Sequence, residues 1–364
     1  MLETSMKLLQ KIESYGFTAY IVGGFVRDYV LGITSSDIDI ATNATPKDIR
    51  SIFKNSVLPT EAYGSVTVVV KNIHFEITTF RKESNYLNHR RPSDIEYVND
   101  LLEDLKRRDF KINTLCMDSH GRILDLLNGL EDIENKEIST VGDSFSKIYE
   151  DSLRILRAIR FATNLNFNLS DDLKNAITKN KESLKSLSYQ RKKQELDKIF
   201  LSSNASYGVS LLKELGLDEA LELYNLNDIK LGQDLLGIWA SLKVSSSYPF
   251  NKNEIDIIKK VKEVVESSCI TNYALYHYGP YVCTLASFLM DRDEKNEIMK
   301  SYEELPIYSR KDIAITSYEV MELLNKDGGS YLRKIFLDLE NKILDNIIKN
   351  EKEVLKEYIL NNYS

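Results

Sequence analysis

Residues 21–42 read IVGGFVRDYVLGITSSDIDIAT, and the reading of the whole chain turns on them. The apolar approach Ala19-Tyr20-Ile21-Val22 reads as a short buried strand. It stops at Gly23-Gly24, a pair that can turn tightly and bring backbone N–H groups close to an anion. Residues 25–31, FVRDYVL, open a helix whose N-terminal amides add positive potential at the same place. Arg27 in its first turn can grip a phosphate bidentately. After Gly32, residues 36–40 alternate polar and apolar and read as a strand. Side chains i and i+2 of a strand face the same way, so Asp37 and Asp39 stand side by side with Ile38 and Ile40 behind them. Two adjacent carboxylates repel unless a cation sits between them. Mg2+, which takes one or two carboxylates plus substrate phosphates, suits the pair. A Gly-Gly turn or a D-x-D strand is commonplace alone; phosphate cradle, arginine and metal pair within one short unit are specific.

Outward from that stretch, composition sets limits. A chain of 364 residues can hold two or more domains, and 43% hydrophobic with 28% charged residues is ordinary for a water-soluble globular protein. The net charge of −7 means that any nucleic-acid surface is a local basic patch on an acidic body. Cys116, Cys269 and Cys283 show no C-x-x-C spacing, which argues for reduced thiols and a cytoplasmic setting. The four histidines are scattered and do not suggest zinc. Residues 1–16 read as an amphipathic helix, not a signal peptide. No apolar run approaches the roughly 18 residues that span a bilayer, so no membrane association is expected.

Downstream, Thr45-Pro46 cap and open a helix running to about Phe53. Residues 64–70 and 74–78 read as a hairpin across Lys71-Asn72, which brings Glu76 beside the D-x-D strand. Residues 80–92, FRKESNYLNHRRP, lack periodicity and read as a mobile loop carrying Arg81, Lys82, Glu83, Arg90 and Arg91. In EDLKRRDFKIN, residues 103–113, Arg108 suits phosphate, while Asp109 or Asn113 could accept a 2′-hydroxyl proton. From Tyr149 onward the texture is helical. Residues 150–161, EDSLRILRAIRF, read as one amphipathic helix with Leu153, Leu156 and Phe161 on its buried side. Asp151, Arg154 and Arg157 fall at i, i+3 and i+6 on its polar stripe, a spacing that intrahelical salt bridges also produce. Cytosine and adenine both offer an amino donor beside an unprotonated ring nitrogen, whereas uracil and guanine offer a carbonyl beside an N–H. A carboxylate with an arginine therefore fits C and A and opposes U and G, and Asp151 with Arg154 has those two chemistries.

Taken together, the motifs resemble those of the tRNA nucleotidyltransferase (CCA-adding enzyme) and bacterial poly(A) polymerase family, class II of the polymerase-β-like nucleotidyltransferases. The shared patterns are G-G-x-V-R-D-x-x-L-G with D-x-D, then R-R-D-F-x-I-N, then the G-L-E-D-I to V-G-D segment over residues 129–143, and E-D-x-x-R at residues 150–154. A bracing helix follows at residues 187–196. Departures are Lys111, Thr114, Ser139, Ser152 and Gln190, and Asn88 stands where an aspartate is frequent. The resemblance implies an α+β nucleotidyltransferase head, a mixed sheet with helices, over residues 1–140. An all-α neck for base recognition (141–205) and a helical, tRNA-binding body and tail (206–364) would follow, with a hinge between domains at residues 124–143. It implies template-independent addition of CMP and AMP from CTP and ATP to the 3′ end of the tRNA acceptor stem, with release of pyrophosphate. Asp37 and Asp39 would hold two Mg2+ ions. Glu76 would be a third acidic residue, unless it is an edge-strand carboxylate paired with a lysine. Gly23, Gly24, Arg27 and Arg108 would position the triphosphate, Asp109 and Asn113 the sugar, and Asp151 and Arg154 the base, with Arg157 a further nucleotide-binding residue. Rival readings are a partial enzyme adding only CC or only A, a poly(A) polymerase, and a catalytically dead tRNA-binding module. The full-length 81–92 segment favours an enzyme able to add A, and intact Asp37 and Asp39 argue against the dead module.

Overall fold

The computed structural model describes residues 1–35, 37–54, 57–58, 64–87 and 91–364, with side chains left aside at 57–58, 84–87 and 91–94. The chain forms two compact units, residues 1–226 with 244–249, and residues 227–243 with 250–364.

The first unit is built on a mixed sheet. Its elements are α1 (Leu2–Glu13), β1 (Ala19–Val22), α2 (Gly24–Val30), β2 (Asp39–Thr42), α3 (Pro46–Ile52), β3 (Val57–Leu58), β4 (Ser65–Val70) and β5 (Ile73–Thr79). Then follow β6 (Arg81–Leu87), β7 (Arg91–Tyr97), α4 (Leu101–Lys106), β8 (Cys116–Met117) and β9 (Ile123–Leu124). The sheet order is β3-β4-β5-β2-β1-β8-β9. Among the described residues every pairing in it is antiparallel except β2 with β5, whose parallel register sets Asp39 opposite Glu76. Lys71 and Asn72 take φ of 50° and 62° between β4 and β5. That is the left-handed two-residue turn whose twist suits a hairpin. Thr45 forms a full capping box with Asp48 at the start of α3, as its sequence promises.

Two expectations fail here. Asp37 precedes the strand instead of lying on it, because β1 ends at Val22, paired with Asp39, and Gly23 then turns the chain away. The alternation nevertheless persists, with Asp37 and Asp39 exposed and Ile38 and Ile40 buried. The described part of the segment read as a loop, residues 81–87 and 91–92, is strand. β6 and β7 form their own two-stranded antiparallel sheet, with Arg81 opposite Tyr97 and Leu87 opposite Arg91. Its letters do not alternate apolar with polar and carry no period-2 hydrophobic signal, so its strands are not legible. Asn88, His89 and Arg90 lie outside the described residues.

The unit continues with α5 (Gly129–Glu134), β10 (Glu137–Ile138), α6 (Ser144–Glu150), α7 (Leu153–Leu165), β11 (Asn168–Leu169), α8 (Asp171–Asn180), α9 (Tyr189–Phe200) and α10 (Ala205–Glu214). The helix expected over residues 150–161 is two helices. Asp151 breaks them with φ −143° and ψ 107°, and its carboxylate accepts from the Leu153 N–H at 3.0 Å, capping the new start. The second unit is helical, with α13 (Lys252–Ser267), α14 (Asn272–Leu289) and α17 (Ser330–Leu344) supplying much of an apolar core that includes Val261, Leu275, Leu339 and Ile343. Gly279, at φ 81°, breaks α14 just ahead of Pro280.

Candidate active site

One cleft of about 580 Å³ in the first unit is lined by Gly23, Arg27, Asp37, Asp39, Arg108 and Asp109, and also by Asn113, Asp151, Arg154 and Arg157. Segments far apart in the chain converge there because β1 ends at Val22 opposite the first residues of β2 and β8, Asp39 and Cys116, and residues of α7 line the same cleft.

At the β1–α2 turn Gly23 has φ 78°. A Cβ there would sit 3.2 Å from Arg108 Nη1, so both the backbone and the close approach call for glycine. The Gly23 N–H donates to the Leu115 carbonyl at 3.1 Å. It is therefore committed to the fold, contrary to the expectation that it faces an anion. Arg27 is buried, its Nη1 donating to Asn113 Oδ1 at 2.7 Å and its Nη2 to Asp28 Oδ1 at 2.7 Å. Asn113 Nδ2 in turn donates to Asp109 Oδ1 at 3.1 Å, and Arg157 Nε donates to Asp109 Oδ2 at 2.7 Å. Burial alone would raise the Asp109 carboxyl, but the Arg157 guanidinium and the Asn113 amide hold it below the usual carboxylate range. Arg27, Asn113, Asp109 and Arg157 thus form one connected chain that joins two of the sequence motifs to α7.

Arg108 donates to the fully buried Asp104 at 3.3 Å, and its Nε is buried without a partner in the protein. Such an orphaned donor at the cleft wall is what an anionic oxygen would satisfy. Asp37 and Asp39 line the same cleft. Although Asp39 keeps solvent contact, desolvation by the protein around it comes first, then repulsion from Asp37 and Glu76, and together they push its pKa up to about 6, with Arg108 opposing. Crowded carboxylate oxygens of this kind are hard ligands whose repulsion a divalent cation relieves, so the donor set fits such a metal. Glu76 sits beside Asp39 in the sheet but is not among the cleft-lining residues. Among the described residues no three or more His, Cys, Asp or Glu side chains converge as a metal cage.

The base-reading candidates both have protein partners. Asp151 Oδ2 accepts from Arg191 Nη2 at 3.2 Å. Arg154 Nη1 donates to Glu150 Oε2 at 2.5 Å and to the Lys147 carbonyl at 2.7 Å. Arg191 and Glu195 lie on α9, and Glu195 pairs with Arg160 at 2.6 Å, so this helix braces α7 as the sequence suggested. Arg160 and Phe161 also line the cleft, and sequence reasoning gave neither a place in it. The recurrence of arginine at 154, 157 and 160 was the available signal.

Among the described residues no helix is long and apolar enough to cross a membrane. Family models match at residues 19–139 (poly(A) polymerase head domain), 166–223 (RNA- and SrmB-binding site of polymerase A) and 238–359 (tRNA nucleotidyltransferase domain 2). The CCA-adding enzyme of Anoxybacillus flavithermus is 34% identical, over 98% of this chain and 96% of its own length. That of Staphylococcus epidermidis is 31% identical over 98% and 97%. The crystal structure of the Bacillus stearothermophilus CCA-adding enzyme in complex with CTP superimposes with a TM-score of 0.83, at 26% identity over 98% of this chain and 96% of that one. The mixed-sheet head, the helical remainder and this likeness along nearly the whole length agree with the resemblance read from the motifs, and the chain belongs to the CCA-adding enzyme family.

Proposed function

We propose that this chain adds CMP and AMP from CTP and ATP, without a template, to the 3′ end of tRNA and releases pyrophosphate. The observation that carries the reading is one cleft in which a carboxylate pair, a set of arginines and an Asp–Arg pair suited to C and A lie together. In the reaction the RNA 3′-hydroxyl oxygen bonds to the α-phosphorus, and the bond from that phosphorus to the pyrophosphate oxygen breaks. Asp37 and Asp39 would hold divalent cations, Mg2+ in this reading, which supply charge neutralisation on the triphosphate and a more nucleophilic hydroxyl. Arg27 and Arg108 hold the triphosphate, and the Asp109–Asn113 pair faces the sugar. Asp151 accepts from the exocyclic amine of C or A, and Arg154 donates to the adjacent ring nitrogen. To do so they exchange their present partners, Arg191 and Glu150, for the base. Functionally the chain divides into a head over residues 1–140, a base-reading neck over 141–205 and a tRNA-binding body and tail over 206–364. The reaction is placed in the cytoplasm.

The decisive experiment supplies tRNA lacking its 3′ CCA with CTP and ATP, separately and together, and sequences the ends. Complete CCA ends only when both nucleotides are present support the reading. CC ends alone, A ends alone or long A tracts would each replace it with the corresponding rival.

A further inference from the structure

The ring of Phe161 carries an arrangement that packing alone does not require. It sits on α7, is 8% exposed and lines the cleft. Three guanidinium carbons lie over it: Arg160 at 4.3 Å from the ring centroid, Arg27 at 5.1 Å and Arg157 at 5.4 Å. Phe110, the residue after Asp109, meets the same ring edge-on at 5.8 Å and 78°. Each arginine is also tied to one carboxylate, Arg27 to Asp28, Arg157 to Asp109 and Arg160 to Glu195. Those carboxylates come from three different elements, α2, the segment after α4, and α9. Asn113 links Arg27 to Asp109, and the ring is the one group that all three arginines share.

Three guanidinium groups drawn to one point repel one another even with a carboxylate partner each, and negative potential at that point lessens the repulsion. The face of an aromatic ring carries a negative quadrupole and attracts guanidinium groups, most strongly where water is excluded. A leucine of similar bulk would fill the space and offer nothing to the charges. We propose that Phe161 is a positioning residue, the common seat that sets Arg27, Arg157 and Arg160 at the spacing that receives the triphosphate of the incoming nucleotide. The inference rests on the reading of this cleft as the nucleotide site.

The test keeps the ring's shape and changes only its electrons. Phe161 is replaced in the full chain by phenylalanines bearing one, two and three ring fluorines, which weaken the quadrupole stepwise. KM for CTP and for ATP should rise with each fluorine, reaching about tenfold at the third if the three contacts weaken together. The kcat at saturating nucleotide should change much less, and inhibition by cytidine, which has no phosphates, should stay as in the parent. A flat KM across the series overturns the proposal, whether or not Tm falls, because Phe161 then serves packing alone. A loss of cytidine inhibition that parallels the rise in KM overturns it too. Arg27→Ala, measured beside the series, separates the two levels. An unchanged KM for CTP in Arg27→Ala refutes the phosphate assignment itself, whereas a raised KM there with a flat fluorine series refutes only the role of Phe161.

Discussion

The two units treat charge in opposite ways. In the first, charged side chains are drawn into the interior: Arg27, Asp104, Asp109, Arg154, Lys192 and Glu195 are all buried. In the second, Glu340 is the buried charge among the described residues, held by Arg310 at 2.7 Å and by the Tyr276 hydroxyl. Its lysines are mostly solvated, Lys259 and Lys349 being 74% and 82% exposed in their side chains. Burying a charge is costly unless it is paired and hydrogen-bonded, so a fold that does it repeatedly, with Arg27, Asp109 and Arg154 at one cleft, is holding those groups in place. The first unit therefore has a fixed constellation whose members fail together. The second has a helical core on which surface charges can be exchanged at little cost.

The largest effect that would sharpen this contrast is at the carboxylate pair. Asp37→Ala or Asp39→Ala should lower nucleotide transfer by several powers of ten, about as much as removing both, while binding of tRNA measured by filter retention is unchanged. Near-normal turnover in either variant would remove the pair from the chemistry.

Next comes the connected chain behind it. Asp109→Ala leaves Arg157 and Asn113 without their shared acceptor and should destabilise the first unit by about 3–5 kcal/mol in denaturant titration. The pH dependence follows from the sign of the shift. A carboxyl held below its unfolded value stabilises the fold above the ordinary carboxylate range, and that contribution is lost as pH falls through the folded value. Asp109→Asn should thus flatten the loss of stability below about pH 4. An acid limb identical to the parent's would show that Asp109 does not carry it.

Smaller again is the effect on base choice. Asp151→Ala should cut discrimination of C and A against U and G by about one to two powers of ten, because one base-edge interaction is worth roughly 1–3 kcal/mol. Equal slowing with all four nucleotides would assign Asp151 to its contacts with Arg191 and the start of α7 instead. The smallest effect belongs to the second unit. Lys259→Ala breaks an exposed pair with Glu263 and should leave stability within about 0.5 kcal/mol. A loss comparable to that of Asp109→Ala would abolish the distinction between the units.

The parts of the first unit that could be read in advance are those with a local cause. Gly23 announces a turn because only glycine takes its φ cheaply, Thr45-Pro46 announces a helix start, and Lys71-Asn72 announces a hairpin. The β6–β7 ribbon escapes the reading because, among the described residues, its strands pair with each other and not with the main sheet, and their letters do not alternate apolar with polar. The break at Asp151 was misread because an apolar period runs across it, and the cap that ends the period is a single hydrogen bond.

From its own letters, then, this chain determined its family, the mixed-sheet head with a helical remainder, and the residue types that populate the cleft. Such features rest on short-range spacing, which a linear reading preserves. The tertiary structure alone decided who partners whom. It gave Gly23's N–H to Leu115, Asp151 to Arg191, Arg154 to Glu150, and three arginines to the ring of Phe161. Those pairings cross as many as 134 positions of chain, from Arg27 to Phe161. They are chosen by which charges the packed sheet and helices bring within reach, a choice that no local pattern encodes.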